Sequence, residues 1–241
     1  MTPNKYLRKR ILEKGYEMGH GLFGSALSCL DCVKYLYDNI LREGDLFIMS
    51  KGHAAMALFS VLESKGKKPK WTIHLGHNEE EGIYATTGSL GHGLPIALGR
   101  ALARKIKGEG GNVYVLVGDG EMEEGSNWEA LILADRLNLE NLTILVDRNK
   151  YQSMGSVKEI ANFCLDNLTA KIRAFGCNVT SINGHDLENL AKLKNLDKGL
   201  NAVILDTIKG KGVKYLEETH MHVLNFNNII EKYYAALEDL K

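Results

Sequence analysis

Residues 113–120 read Val-Tyr-Val-Leu-Val-Gly-Asp-Gly. Five apolar residues in a row, closed by a glycine-flanked acid, have no helical or alternating period, which is the pattern of a strand buried on both faces. A helical stretch over about 126–138 follows, and then a second apolar run, Leu142-Thr143-Ile144-Leu145-Val146-Asp147. Further on the pattern predicts a helix at 165–175, a strand at 178–182, a helix at 186–195 and a strand at 202–206. Strands alternating with helices of this length imply a parallel sheet covered on both faces, an α/β fold.

Upstream, 4–18 reads as a helix ended by Gly19, Gly21 and Gly24. Ser28 with Asp31 three residues later has the form of a capping box and predicts a helix running through Tyr37 and Leu41. Leu46–Met49 is a short strand, followed by Ser50-Lys51-Gly52-His53 and a helix to about Ser64. Residues 66–92 are loop-rich. Leu94–Ile106 reads as a helix apolar over most of its surface, hence buried, and 226–240 as a final amphipathic helix. No repeat or Pro/Ser-rich linker divides the chain, so one domain over 1–241 is expected.

Composition excludes several classes. Thirty basic residues offset thirty acidic ones in 241, which leaves no electrostatic footprint for nucleic acid or an anionic membrane. No apolar run approaches the roughly 18 residues of a membrane span. The basic N-terminus lacks the apolar stretch of a secretory signal, and four cysteines make no disulfide framework. A cytoplasmic protein is expected. Twenty-five glycines against three prolines argue for backbone approaching a ligand at several turns, rather than for disorder.

In open parallel sheets, ligands sit outside the carboxyl ends of the strands. Two such ends carry oxygen donors, Asp119 after the first long strand and Asn149 after the second, 30 residues apart. Gly118 and Gly120 let the chain turn sharply, and the next helix aims free N–H groups at the same place. A carboxylate, an amide oxygen and a backbone carbonyl are hard ligands suited to Mg²⁺, with phosphate oxygens and water filling the octahedron. A dinucleotide fingerprint fails because Gly125 falls two positions late, and no phosphate-loop motif occurs. Cys29 and Cys32 form C-x-x-C, but Cys164 and Cys177 give no second pair at zinc spacing, so packed thiols are expected.

The spacing of Gly-Asp-Gly (118–120) and Asn149 resembles the thiamine-diphosphate motif. GHGLFGSALSCLD (19–31), SKGHAAMALF (50–59), LGHNEEEG (75–82), TTGSLGHGLPIALGRAL (86–102) and GDGEMEEGSNWEA (118–130) resemble the transketolase family in order and spacing. The resemblance implies thiamine diphosphate and Mg²⁺ as cofactors and an α/β diphosphate-binding domain. It implies that Asp119, Asn149 and the Tyr151 carbonyl hold the metal. Likewise His53, Gly88, Ser89, Leu90 and Gly120, together with Asn149, would contact the cofactor. Glu124 matches an acid coupling two active sites across a subunit interface, although a solvated helix start is its plain structural role. His20 and His77 match histidines near the sugar hydroxyls. His222, after the KGKG loop (209–212), matches one reaching cofactor and substrate, with His220 a rival.

In that family a glutamate of a separate pyrimidine-binding domain activates the cofactor, and no glutamate here stands in a matching context. The chain therefore resembles one half of a split transketolase. Its partner chain would carry the pyrimidine-binding and C-terminal domains, with two copies of each chain in the working unit. Ketol transfer between sugars is the implied reaction; the alternatives are part of a 2-oxoacid dehydrogenase or decarboxylase, and a non-catalytic binding module. The usual Gly-His-Pro-Gly reads Gly19-His20-Gly21-Leu22-Phe23-Gly24. Loss of the proline points to a specialised substrate, with Leu22 and Phe23 expected to border its channel.

Overall fold

A computed structural model describes residues 3–161, 167–218, 222–225 and 229–241. Five strands form its main sheet: β1 (Leu46–Met49), β2 (Val113–Gly118), β3 (Leu142–Arg148), β6 (Asn178–Asn183) and β7 (Asn201–Asp206), in spatial order β1-β2-β3-β7-β6. Every pairing is parallel. Between β3 and β6 lies a small antiparallel hairpin, β4 (Tyr151–Gln152) with β5 (Gly155–Ser156), which the apolar pattern does not signal.

Alternate residues of each strand face opposite ways, and each face has its own helical cover. Phe47, Leu116, Leu145, Val203 and Leu205 pack beneath α1 (Lys5–Met18), α2 (Phe23–Tyr35) and α3 (Ala55–Ser64). Ile48, Val113, Val115, Val117, Ile144, Val146 and Ile204 pack against α4 (Gly93–Lys107), α5 (Gly125–Arg136) and α7 (Leu168–Ala174), the last lying beyond the short α6 (Val157–Ala161). This double cover is why the central strands are continuously apolar. The edge strand β6 is mostly exposed and its sequence, Asn-Val-Thr-Ser-Ile-Asn, is correspondingly mixed.

Four local expectations are corrected. Ser28 and Asp31 do not open a helix. Both are buried inside α2, which starts at Phe23 because every residue from 22 to 30 is core, and a π-helical turn extends it over Leu36–Ile40. Their polar atoms are used in tertiary contacts instead: the Ser28 hydroxyl bonds Asp147 at 2.5 Å, and Asp31 receives Arg8. The helix at 94–106 is not buried all round, since Arg100, Arg104 and Lys105 occupy an outer face and Ile106 is 75% exposed. Residues 186–195 hold one α-helical turn, α8 (Leu187–Leu190), and then a 3₁₀ segment. Leu22 and Phe23 are core residues, with Phe23 packed against Gly15 and Gly21, and neither is among the residues lining the cavity at the strand ends. The chain closes with α9 (Lys214–Glu217) and α10 (Ile230–Glu238). The first residues of the helices expected at 165 and 226, together with Cys164 and His220, lie outside the described residues. Among the described residues no helix is long and apolar enough to cross a membrane.

Candidate functional site

The register of the sheet brings the carboxyl ends of four strands together: Met49 pairs with Leu116, Gly118 with Asp147, and Arg148 with Asp206. The segments that leave these ends line a common cavity. Lys51 and His53 follow β1, Asp119 to Glu121 follow β2, Asn149 and Tyr151 to Ser153 follow β3, and Lys209 follows β7. Ser25 of α2, His74, Gly88, Leu90 and His222 complete its wall.

Each turn is held by its own hydrogen bonds. Gly120 and Lys150 donate their backbone N–H groups to the Asp119 carboxylate at 2.8 and 2.6 Å. The Asn149 amide donates to Asp147 at 3.2 Å and to Ser28 at 3.3 Å, while its oxygen accepts from the Tyr151 N–H at 3.0 Å. Glu121, buried, accepts from the Ser50 hydroxyl at 2.5 Å and from the Gly91 and Gly118 N–H groups at 3.0 and 3.1 Å. It thereby ties the 88–91 loop to the end of β2.

Gly52 allows the β1 turn to press on that same loop. A Cβ there would stand 2.4 Å from the carbonyl carbon and oxygen of Thr87 and 2.6 Å from the Gly88 nitrogen, all backbone atoms with no freedom to rotate away. Gly52→Ala is therefore expected to destabilise the fold by about 1–3 kcal/mol, the usual scale of overpacking. Urea unfolding checks this, and an unchanged midpoint would show that the 88–91 loop yields freely.

The electrostatics are those of a largely buried, mixed-charge cleft. Burial first, and then the negative charge of Asp147, pushes the Asp119 carboxyl up to about 7, against the pull of its N–H donors and Lys51. Burial, helped by Lys51, holds His53 well below the usual imidazole range, and His222 is lowered by burial and Lys209. The two rings are neighbours, tilted by 54° with centroids 5.5 Å apart. Burial also lowers Lys209, whereas Lys51 stays above its ordinary value because Asp147 overrides the cost of burial. Among the described residues the buried Gln152 side-chain nitrogen has no hydrogen-bond partner.

Of the residues singled out from sequence, the cavity gathers His53, Gly88, Leu90, Asp119, Gly120, Asn149, Tyr151 and His222. His20, His77, Ser89 and Glu124 are exposed outside this lining; His77 leans on Glu79 at 3.3 Å, and Glu124 precedes α5. Lys51, His74, Glu121, Asp147, Gln152 and Lys209 escaped sequence reasoning. Lys51 sits in the stretch Ser-Lys-Gly-His and Asp147 is the charge ending an apolar strand, so both left a visible signal; His74 left none. The thiols of Cys29 and Cys32 are buried, Cys29 pushed up to about 12 and Cys32 well above its ordinary value, as packed thiols would be.

A doubly covered parallel sheet with acid, amide and cations converging at its carboxyl ends defines an α/β protein with its polar cavity where open sheets of this class bind ligands. Residues 14–223 match the family model described as "Transketolase, thiamine diphosphate binding domain". The chain belongs to the transketolase family. It is 36% identical over 234 residues to one of the subunits of the apulose-4-phosphate transketolase of Phocaeicola vulgatus, covering 87% of this chain and 83% of that one. It is 34% identical over 236 residues to the 6-deoxy-6-sulfo-D-fructose transketolase subunit SqwG of a Clostridium species, covering 88% and 84%. Among solved structures, the transketolase of Leishmania mexicana superposes with a TM-score of 0.79 at 22% identity, covering 98% of this chain and 43% of that one. The Campylobacter jejuni transketolase gives 0.75 at 26%, covering 97% and 41%. The chain thus spans most of the two relatives that are themselves subunits, but about two fifths of the solved transketolases.

The cavity's lining has the kind of donors that a diphosphate with a hard cation requires. Among the described residues no three His, Cys, Asp or Glu converge as a metal cluster. One carboxylate with amide and carbonyl oxygens instead suits a cation that keeps waters and phosphates as ligands. The orphaned Gln152 nitrogen, Lys51, Lys209 and His53 are the donor groups that such an anion would meet there.

Proposed function

We propose that this chain is the diphosphate-binding subunit of a two-chain enzyme that transfers a ketol unit from a ketose to an aldehyde. The observation that carries the reading is the Asp119 carboxylate and the Asn149 carboxamide at the ends of neighbouring strands, opposite buried donors. Asp119, Asn149 and the Tyr151 carbonyl would hold Mg²⁺. When bound, thiamine diphosphate supplies a carbon nucleophile that attacks a carbonyl and carries the two-carbon fragment.

The chain's own residues then have limited, definite tasks. Lys209 brings positive charge to the diphosphate and Lys51, already paired with Asp147, adds a hydrogen-bond donor, while Gly88, Ser89, Leu90 and Gly120 give the backbone surface against which the cofactor lies. His53, kept neutral by burial, orients through hydrogen bonds rather than charge. His222, half-buried with a lowered pKa, can accept and return a proton at a substrate hydroxyl near neutral pH. His20 and His77 are assigned to the outer sugar hydroxyls, and Glu124 to coupling across the subunit interface. The glutamate that bonds the pyrimidine ring is assigned to the partner, in an assembly of two chains of each kind.

Two relatives are named for a phosphorylated and a sulfonated sugar. We extend that chemistry to this chain: a ketose with an anionic group remote from its carbonyl. The test is a native mass spectrum of the tagged chain, purified from its own host with Mg²⁺ present. A stoichiometric second polypeptide with bound thiamine diphosphate is the expected result. A lone chain that takes up no cofactor, even from added Mg²⁺ and thiamine diphosphate, would sink the reading, and pyruvate-dependent CO₂ release would turn it to a 2-oxoacid enzyme.

A further inference from the structure

Asp147 lies near the end of β3 and is fully buried. Its two oxygens collect donors from four separate segments of the chain. One oxygen accepts the Thr207 hydroxyl. The other accepts the Ser28 hydroxyl at 2.5 Å, the Asn149 amide at 3.2 Å and the Lys51 ammonium. An ionised carboxylate offers about four lone-pair sites and no donor, so these four partners fill its capacity. Lys51 and Asn149 line the cavity themselves, Ser28 lies one helical turn from Ser25, and Thr207 lies two residues before Lys209. One side chain therefore joins the ends of β1, β3 and β7 to α2 beneath the cavity.

The consequence falls most directly on Asn149. A carboxamide can rotate by half a turn and exchange oxygen for nitrogen at little steric cost, and only its hydrogen bonds decide which is presented. Here Asp147 and Ser28 claim the nitrogen, and the Tyr151 N–H claims the oxygen. A neutral side chain at 147 would exchange the nitrogen's charged acceptor for a neutral one and remove the direct ion-pair partner of Lys51.

We propose that Asp147 is a positioning residue, which locks the Asn149 carboxamide so that its oxygen, and not its nitrogen, is presented as a cation ligand. The proposal rests on the reading of the cavity as a metal-diphosphate site. Outer partners of metal ligands typically govern affinity by about 10–100-fold, and Asp147 belongs with them although it touches neither metal nor diphosphate.

The test uses Mn²⁺ with inorganic pyrophosphate as probe, read by electron paramagnetic resonance on the full chain. Asp147→Asn is expected to weaken binding at least about 10-fold. Asn149→Ala is expected to do so as strongly, and the double variant to fall well short of the product of the two losses. Multiplicative losses, or no loss in Asp147→Asn, would overturn the proposal. Should the wild-type chain fail to bind the probe, the metal-diphosphate reading itself falls, and a second readout still decides the positioning. In chain labelled with ¹⁵N-asparagine, the Asn149 side-chain protons are expected to exchange slowly, and at least about 10-fold faster in Asp147→Asn. Equal rates would overturn it. Lys51→Met/Asp147→Leu leaves no unpaired buried charge and guards against simple unfolding; the same release of the Asn149 amide is expected there.

Discussion

Asp119→Asn is expected to remove metal-dependent cofactor retention while leaving the apo fold nearly as stable as before. The carboxylate is 1% exposed and accepts two backbone N–H bonds. An amide keeps one of those bonds and turns a donor toward the other, a cost of about 1 kcal/mol. Removing a buried charge that already sits uneasily beside Asp147 offsets that cost. The metal, by contrast, loses its one carboxylate among the proposed ligands, and a loss of at least about 100-fold in affinity is expected. Stabilisation by Mg²⁺ and thiamine diphosphate, about 2.7 kcal/mol at a hundredfold excess over Kd, should then vanish from a thermal scan. A variant that still gains stability would show that the metal is held elsewhere.

The same residue gives the site a pH dependence of definite sign. Its carboxyl is raised to about 7 from an ordinary 3.8. The folded apo chain therefore keeps a proton that the unfolded chain releases. Asp119's contribution to apo stability is full below about pH 4 and is lost as pH rises through about 7. On the proposed reading, metal would compete with that proton. Mn²⁺ affinity should climb about tenfold per pH unit below 7 and level off above it. A flat profile between pH 5.5 and 8.5 would place the proton on another group.

The central strands and the polar residues at their ends were legible in the sequence because one physical cause governs both. A strand covered on two faces must be apolar throughout, so the first polar residues after it, Asp119 and Asn149, mark the open end where a ligand can sit. What was hidden were polar residues placed by tertiary pairing. Ser28 and Asp31 mimic a helix start locally, and only Asp147 and Arg8, distant in sequence, explain why they lie mid-helix. Glu121 resembles the solvated acids beside it, yet it is buried because Ser50 and two backbone N–H groups satisfy it. The outer face of α4 was misjudged since its alanines and glycines count as apolar whichever way they point.

Arg8→Met is expected to cost about 3–5 kcal/mol, the scale of breaking a buried pair by removing one partner. Arg8 and Asp31 are both fully buried and meet through two parallel bonds of 2.9 and 2.6 Å, joining α1 to α2. Arg8 also donates to the carbonyls of Pro3 and Lys211 at 2.6 and 2.9 Å. Burial works against the Asp31 charge, but His185, Arg8 and Asn4 together hold its carboxyl below the ordinary range. Without Arg8 the anion is left under-compensated and the two carbonyls unpaired. For a chain of this size the melting temperature should fall by on the order of 10 °C. Arg8→Met/Asp31→Leu should recover a large part of that loss, because no buried charge remains. The damage should also reach the cavity. His185 donates to Asp31 through Nδ1 at 2.9 Å, and its Nε2 accepts the Ile208 N–H at 2.9 Å, next to Lys209. In the double variant His185 loses the acceptor that fixes its ring, so the 207–210 turn should exchange its amide protons faster even where global stability is restored. Hydrogen exchange at Ile208 and Lys209 separates the two effects: restored protection there would show that the ion pair serves α1 and α2 alone.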